Sequence, residues 1–218
     1  MTMIAVAGTG TEVGKTYVTA ALVRALRARD VPVVARKPVQ SFAPGGSETD
    51  ADVLAAASGE APTVVCPHHR WLPEPMAPPM AADALGLPPF TVAQLVAETT
   101  AGLPGDALAL METAGGVCSP IAVDGDCRAL IDALAPALVL LVADAGLGTI
   151  NLVRLSTAAL AGHPVVTFVN RVEPGRDLHR RNVEWLRTQA HLEVVTDLDD
   201  LARRVSSRKI HSHGEPFV

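Results

Sequence analysis

Gly14-Lys15-Thr16 closes the stretch GTGTEVGKT, which follows directly on the apolar run of residues 3–7. A lysine and a hydroxyl after a glycine loop, between a strand and a helix, can bind the end of a nucleoside triphosphate. Backbone N–H groups cradle phosphate, and the helix start adds the positive end of its dipole. Lys15 then reaches β- and γ-phosphate oxygens, and Thr16 offers a hydroxyl to Mg²⁺. A standard loop reads G-x-x-x-x-G-K-[ST], which puts its first glycine at position 9. Thr9 stands there instead, flanked by Gly8 and Gly10, so the loop is one residue longer. An ordinary glycine-rich turn is the competing reading. The order of strand, loop, Gly-Lys-Thr and helix favours the phosphate loop.

Other polar residues stand where apolar runs end. Lys37, in Arg36-Lys37-Pro38-Val39-Gln40-Ser41, can hold a second anion or a transferring phosphoryl group, or can be a solvated strand-end lysine. Thr49-Asp50-Ala51-Asp52 opens a helix. Asp50 or Asp52 can ligate Mg²⁺, although acids and Thr also suit a helix N-terminus for capping alone. Glu112 ends an apolar run ahead of Ala114-Gly115-Gly116. An unpaired carboxylate is costly to bury there, which points to Mg²⁺ or a substrate amine as its partner. Asp144 to Asn151 (DAGLGTIN) is a glycine-rich turn whose N–H groups can capture a carboxylate. Asn170, after the fifth run, can pair with adenine or simply serve a turn. Cys66-Pro67-His68-His69 and His211-Ser212-His213 lack further ligands at a metal-binding spacing and read as exposed polar clusters.

Those positions need a scaffold. Strands are expected over 3–7, 31–36, 107–111, 137–143 and 164–169, with a weaker one at 192–195. Helices are expected over 15–29, 50–57, 91–101, 128–134, 150–161, 178–190 and 198–205. The strands are nearly continuous apolar runs, as strands buried on both faces are. Alternation with helices implies a single α/β domain over 1–206: a mostly parallel central sheet, helices on both faces, and ligands beyond the carboxyl ends of the strands. The Pro-rich segment 62–89 reads as a surface excursion with short helices, and 207–218 as a polar tail.

Composition narrows the functional classes. Aromatics make up 3% and the net charge is −5 with no basic tract, which argues against nucleic acid and anionic membrane as partners. The three cysteines form no CxxC. The chain opens on a strand rather than a signal core, and no run reaches the roughly 18 apolar residues of a membrane span. A reducing, cytoplasmic setting is therefore expected.

In their order these motifs resemble the dethiobiotin synthetase family. Gly8 to Thr16 is similar to its longer loop, G-x-x-x-x-x-G-K-T. Lys37-Pro38-Val39 with Ser41, Thr49-Asp50, Glu112-x-Ala114-Gly115-Gly116 and Gly146-Leu147-Gly148-Thr149-Ile150-Asn151 follow in sequence, and Pro75-Met76-Ala77-Pro78 is similar to the family's Pro-rich segment. The resemblance covers roughly residues 3–190. It implies an ATP- and Mg²⁺-dependent cyclo-ligase of biotin synthesis, in which CO₂ and 7,8-diaminopelargonic acid give dethiobiotin through a carbamate and a carbamic-phosphoric anhydride. By the same resemblance Gly10, Thr11, Glu12, Val13, Gly14, Lys15, Thr16, Tyr17 and Asn170 bind the nucleotide, and Thr16, Asp50 and Glu112 hold Mg²⁺. Lys37, Lys15, Thr11 and Glu12 serve catalysis. Ser41, Lys37, Leu147, Gly148 and Asn151 contact substrate, the last three from the partner of a homodimer. Lys15→Ala or Lys37→Ala is expected to abolish turnover and spare the fold.

Two departures stand out. Thr113 replaces the first Gly of Glu-Gly-Ala-Gly-Gly, which requires a negative φ there. Leu192 to Asp197 lacks the family's Leu-Gly-x-x-Pro near the base, which leaves the nucleotide preference open. A related P-loop amide-forming synthetase acting on another acid is a rival reading, but such enzymes carry a fused glutaminase domain. A ParA/MinD-like switch ATPase is another. It calls for a lysine at position 10, where this chain has Gly10.

Overall fold

Apolar side chains on both faces of each strand force the sheet to the centre. In the computed structural model, which describes residues 2–46 and 48–211 with side chains through Ser207, β1 (Thr2–Gly8) runs through the middle of a six-stranded sheet. The other strands are β2 (Val33–Arg36), β3 (Leu108–Glu112), β4 (Leu138–Asp144), β5 (Val165–Asn170) and β6 (Val194–Val195). Their order is β2-β3-β1-β4-β5-β6, and every pairing is parallel.

Strand periodicity splits the core into two layers. Ile4, Val6, Leu108, Leu110, Leu138 and Leu140 face one side. There α1 (Lys15–Arg27), α2 (Asp50–Ser58) and the last helix, Leu198–His211, bring Leu22, Leu26, Leu54 and Leu201 against them. Met3, Ala5, Ala109, Met111, Val139 and Leu141 face the other. That layer is completed by Leu95 from α3 (Val92–Thr100), Leu130 and Ile131 from α4 (Cys127–Leu134), Val153 from α5 (Thr149–Ala159) and Leu186 from α6 (Asp177–Thr188).

The chain reverses direction across the sheet at β1. β2 and β3 lie to one side and β4 to β6 to the other, which opens a crevice at the carboxyl ends of the strands. Five loops meet there, after β1, β2, β3, β4 and β5.

Boundaries shift by a few residues from the sequence reading. The second strand begins at Val33, because Val31 still bonds back to Leu26 O. The final helix runs to His211 rather than stopping at 205; residues 212–218, with Ser212 and His213 of the second histidine cluster, lie outside the described residues. Segment 62–89 holds helices Pro62–Val65 and Pro78–Ala84, each with proline in its first turn, and a short strand Trp71–Leu72 parallel to Gln40–Ser41. A hairpin of Pro120–Ala122 with Gly125–Asp126 was not anticipated. Among the described residues no helix is long and apolar enough to cross a membrane.

Candidate active site

The loop after β1 closes through two unusual backbones. Glu12 has φ 61 and Gly14 φ 91. The glycine spacing follows from what packs on it. A Cβ on Gly8 would stand 2.9 Å from Lys15 Cδ, and one on Gly14 would stand 2.2 Å from Asn170 Nδ2, whereas Gly10 has nothing within 4 Å. A side chain at Gly8 would therefore displace Lys15, and one at Gly14 would displace Asn170 as well as strain a left-handed backbone. Lys15 folds back over it and donates to Gly10 O at 2.8 Å.

Lys37 leaves the end of β2 and points under this loop. It is 2% exposed and donates at 2.8 Å to Glu112 Oε1 and at 3.2 Å to Thr113 O. Its ammonium also lies 2.8 Å from Asp50 Oδ2. Burial works to discharge it, but Glu112 and Asp50 override that and hold its pKa above the ordinary lysine value. Burial lowers the pKa of Lys15, and the nearby Lys37 charge adds to that. The Lys37 charge, aided by its hydrogen bond and that from Thr16, holds Asp50 below the usual carboxylate range against the opposing effect of burial.

Thr16 Oγ1 lies 2.8 Å from Asp50 Oδ1 and 2.9 Å from Glu112 Oε1. One hydroxyl proton cannot serve both carboxylates at once. Glu112 is fully buried, and its Oε2 has no hydrogen-bond partner. Two carboxylates and a hydroxyl converging in this way, one oxygen orphaned, fit a hard divalent cation. Asp52 is occupied elsewhere: it closes a capping box with Thr49, accepting from Thr49 N at 2.9 Å. That separates the two acids the sequence left open.

Thr11, Glu12, Gly14, Lys15, Thr16, Lys37, Ser41 and Asp50 line one cavity of about 680 Å³. Several of its walls were not read from the sequence. Gln40 lines it while bonding Ala51 N and Thr49 Oγ1, which fixes the start of α2. Pro75 to Pro78 close one side, with Ser41 Oγ donating to Met76 O at 2.7 Å. Ser119 accepts from Gly116 N and steadies the glycine turn after β3. Beneath that turn Cys127 donates to Ala114 O, its pKa pushed up to about 11 by burial, so the thiol stays protonated.

The remaining expected residues lie apart. Asn170 and Tyr17 line a second cavity of about 600 Å³, which also takes in Thr196 and Asp197. Asn170 Nδ2 donates to Val13 O at 3.0 Å; Val13 itself turns its side chain into the core. Leu147, Gly148 and Asn151 are exposed at the start of α5 and do not line the 680 Å³ cavity of their own chain. Thr113 fits its departure from the pattern: it is not among the positive-φ residues, and its hydroxyl donates to Val6 O at 3.3 Å. His68 and His69 stay on the surface, His69 beside Glu98 at 3.2 Å.

A parallel sheet with this loop between β1 and α1, two lysines in the crevice and carboxylates against the loop threonine defines a P-loop nucleotide-binding domain. A family model described as an AAA domain matches residues 2–204. The ATP-dependent dethiobiotin synthetase of Anaeromyxobacter dehalogenans (strain 2CP-C) is 37% identical over 211 residues, covering 91% of this chain and 92% of that protein. The protein of the same name from Rhodococcus jostii (strain RHA1) is 40% identical over 166 residues, covering 74% and 68%. This chain belongs to the ATP-dependent dethiobiotin synthetase family. Among solved structures, the MinC:MinD cell division complex of Aquifex aeolicus overlays with a TM-score of 0.55 at 14% identity, covering 100% of this chain and 98% of that one. That likeness is one of fold.

Proposed function

We propose that this chain joins CO₂ to 7,8-diaminopelargonic acid at the expense of ATP, with Mg²⁺, to form dethiobiotin. As a member of its family it is an ATP-dependent ligase of biotin synthesis. In the reaction we infer, one amine adds to CO₂ and gives a carbamate. A carbamate oxygen takes the γ-phosphoryl group, and the second amine attacks the carbonyl carbon, closes the ureido ring and releases phosphate. The observation that carries this reading is the meeting of Lys15, Thr16, Lys37 and Asp50 at one cavity, with Glu112 buried behind its wall and bonded to Thr16 and Lys37, from four different elements or loops.

The residues divide the work by charge. Lys37, kept protonated by two carboxylates, is a fixed cation and not a base. It stabilises negative oxygens on the carbamate and on the phosphoryl group in flight. Lys15 exchanges its bond with Gly10 O for a phosphate oxygen. Loop N–H groups from Gly10 to Thr16 hold the remaining phosphate oxygens. Thr11 adds a hydroxyl and Glu12 a carboxylate at the cavity mouth, and Ser41 faces the diamine. Thr16, Asp50 and Glu112 would hold Mg²⁺, which when bound neutralises charge on the phosphates. Asn170 meets the base from the second cavity.

A homodimer belongs to this reading. Leu147, 90% exposed, and Leu152 and Leu155 on α5 offer an apolar face, and the α5 start, with Gly148 and Asn151, would hold the substrate carboxylate of the partner's site. The setting we infer is the cytoplasm.

Phosphate release from ATP, Mg²⁺ and bicarbonate, measured with and without the diamine, tests the proposal. Diamine-dependent release with a product of dethiobiotin mass is expected. Release that ignores the diamine, or no release, would contradict it.

A further inference from the structure

A nucleotide bound as above must span both cavities, its phosphates in the 680 Å³ space and its base in the 600 Å³ space. Among the described residues two line both, Gly14 and Arg171. Gly14 has no side chain to offer. Arg171 follows Asn170 at the end of β5, and its backbone turns through φ 58, a left-handed conformation unusual for arginine. That turn brings its guanidinium across to the loop, where Nη2 stands 4.0 Å from the point a Cβ on Gly14 would occupy. Nη1 donates to Asp144 Oδ2 at 3.1 Å. Asp144 is itself fixed: it pairs in register with Asn170 across β4 and β5, and its Oδ1 accepts from Gly146 N at 2.8 Å.

We propose that Arg171, positioned by Asp144, is a nucleotide-binding residue that meets the α-phosphate as the nucleotide passes between the two cavities. The inference rests on the ATP-dependent reading above. Lys15 and Lys37 are buried members of the phosphate cavity and do not line the base cavity, which leaves them to the terminal phosphates. The junction toward the base is served by the guanidinium, whose fork has N–H donors beyond the one given to Asp144. A surface ion pair by itself would be worth little. Placement at the one junction shared by both cavities gives this pair a use.

Affinities for ATP and for ADP, measured by calorimetry on the full chain, test the proposal together with KM and kcat. Arg171→Ala is expected to weaken both nucleotides by the same factor, about tenfold, with the loss in KM for ATP rather than in kcat. Arg171→Lys, which keeps charge without the fork, should fall between. Asp144→Asn can still accept from Gly146 N. It should weaken nucleotide binding severalfold if Asp144 positions Arg171, whereas tighter binding, from loss of a repelling carboxylate, would overturn that role. Unchanged affinity in Arg171→Ala, or a loss confined to ATP, would overturn the α-phosphate contact. A wild-type chain that binds neither nucleotide would instead bring down the ATP-dependent reading itself.

Discussion

Lys37 carries a buried charge that the fold must compensate at the residue scale. A lysine 2% exposed against a carboxylate 0% exposed survives only as a pair. The sequence suggested that removing Lys37 would spare the fold, and the burial changes that expectation. Lys37→Met should abolish turnover and also cost about 3–5 kcal/mol in urea unfolding, because Glu112 is left as an uncompensated buried charge. Adding Glu112→Gln to Lys37→Met should restore much of the stability and none of the activity. By itself Glu112→Gln should raise the Mg²⁺ concentration for half-maximal activity by about tenfold or more; an unchanged titration would remove Glu112 from the metal site. Asp50 gives a pH signature. Its folded pKa is depressed, so its stabilisation is present above the ordinary value of 3.8 and is lost as pH falls through the folded value. The stability gap between wild type and Asp50→Asn should therefore narrow below about pH 4. A gap that stays constant with pH would mean that Lys37 does not set the Asp50 pKa.

At the scale of elements, the chemistry sits where loops leave the carboxyl ends of parallel strands, and that arrangement explains what was legible. Each long strand is a continuous apolar run, so its end is visible, and the polar residue just beyond it is a candidate by position. Lys37, Glu112 and Asn170 became candidates in this way, and Lys15 through its place in the glycine loop. Position alone could not separate Asp50 from Asp52, because both occupy the first turn of α2; the resemblance pointed to Asp50, and the hydrogen bonds show Asp52 capping the helix. The resemblance marked Pro75 to Pro78, but their place as a cavity wall was hidden. Its helices and strand are too short to have a period, and their positions depend on contacts with Gln40–Ser41. Arg171 escaped because a backbone turn, not sequence spacing, aims it. Thr113 offers a test of this loop-level account. Its φ is not left-handed and its hydroxyl bonds Val6 O, so Thr113→Gly should lower stability by about 0.5–1 kcal/mol in urea unfolding with turnover retained. A stabilised variant would show that Thr113 strains the turn.

At the scale of the whole molecule, two apolar layers anchor a sheet whose reversal at β1 opens a single crevice for a nucleotide and a small substrate. In the proposed dimer the apolar face of α5 would extend that design beyond one chain. Sedimentation should find a dimer, and Leu155→Lys should shift it toward monomer and lower turnover, because the proposed carboxylate site is then incomplete. A fully active monomer would contradict the shared site. In the proposed reaction one cavity both phosphorylates a carbamate and closes a ring on it. Ring closure then leaves one carbamate oxygen on the phosphate, so the most direct measurement is the isotopic composition of phosphate released when turnover starts from fresh ¹⁸O-bicarbonate, ATP and the diamine. Phosphate carrying one oxygen from bicarbonate is the expected result, whereas phosphate free of label alongside labelled dethiobiotin would contradict it.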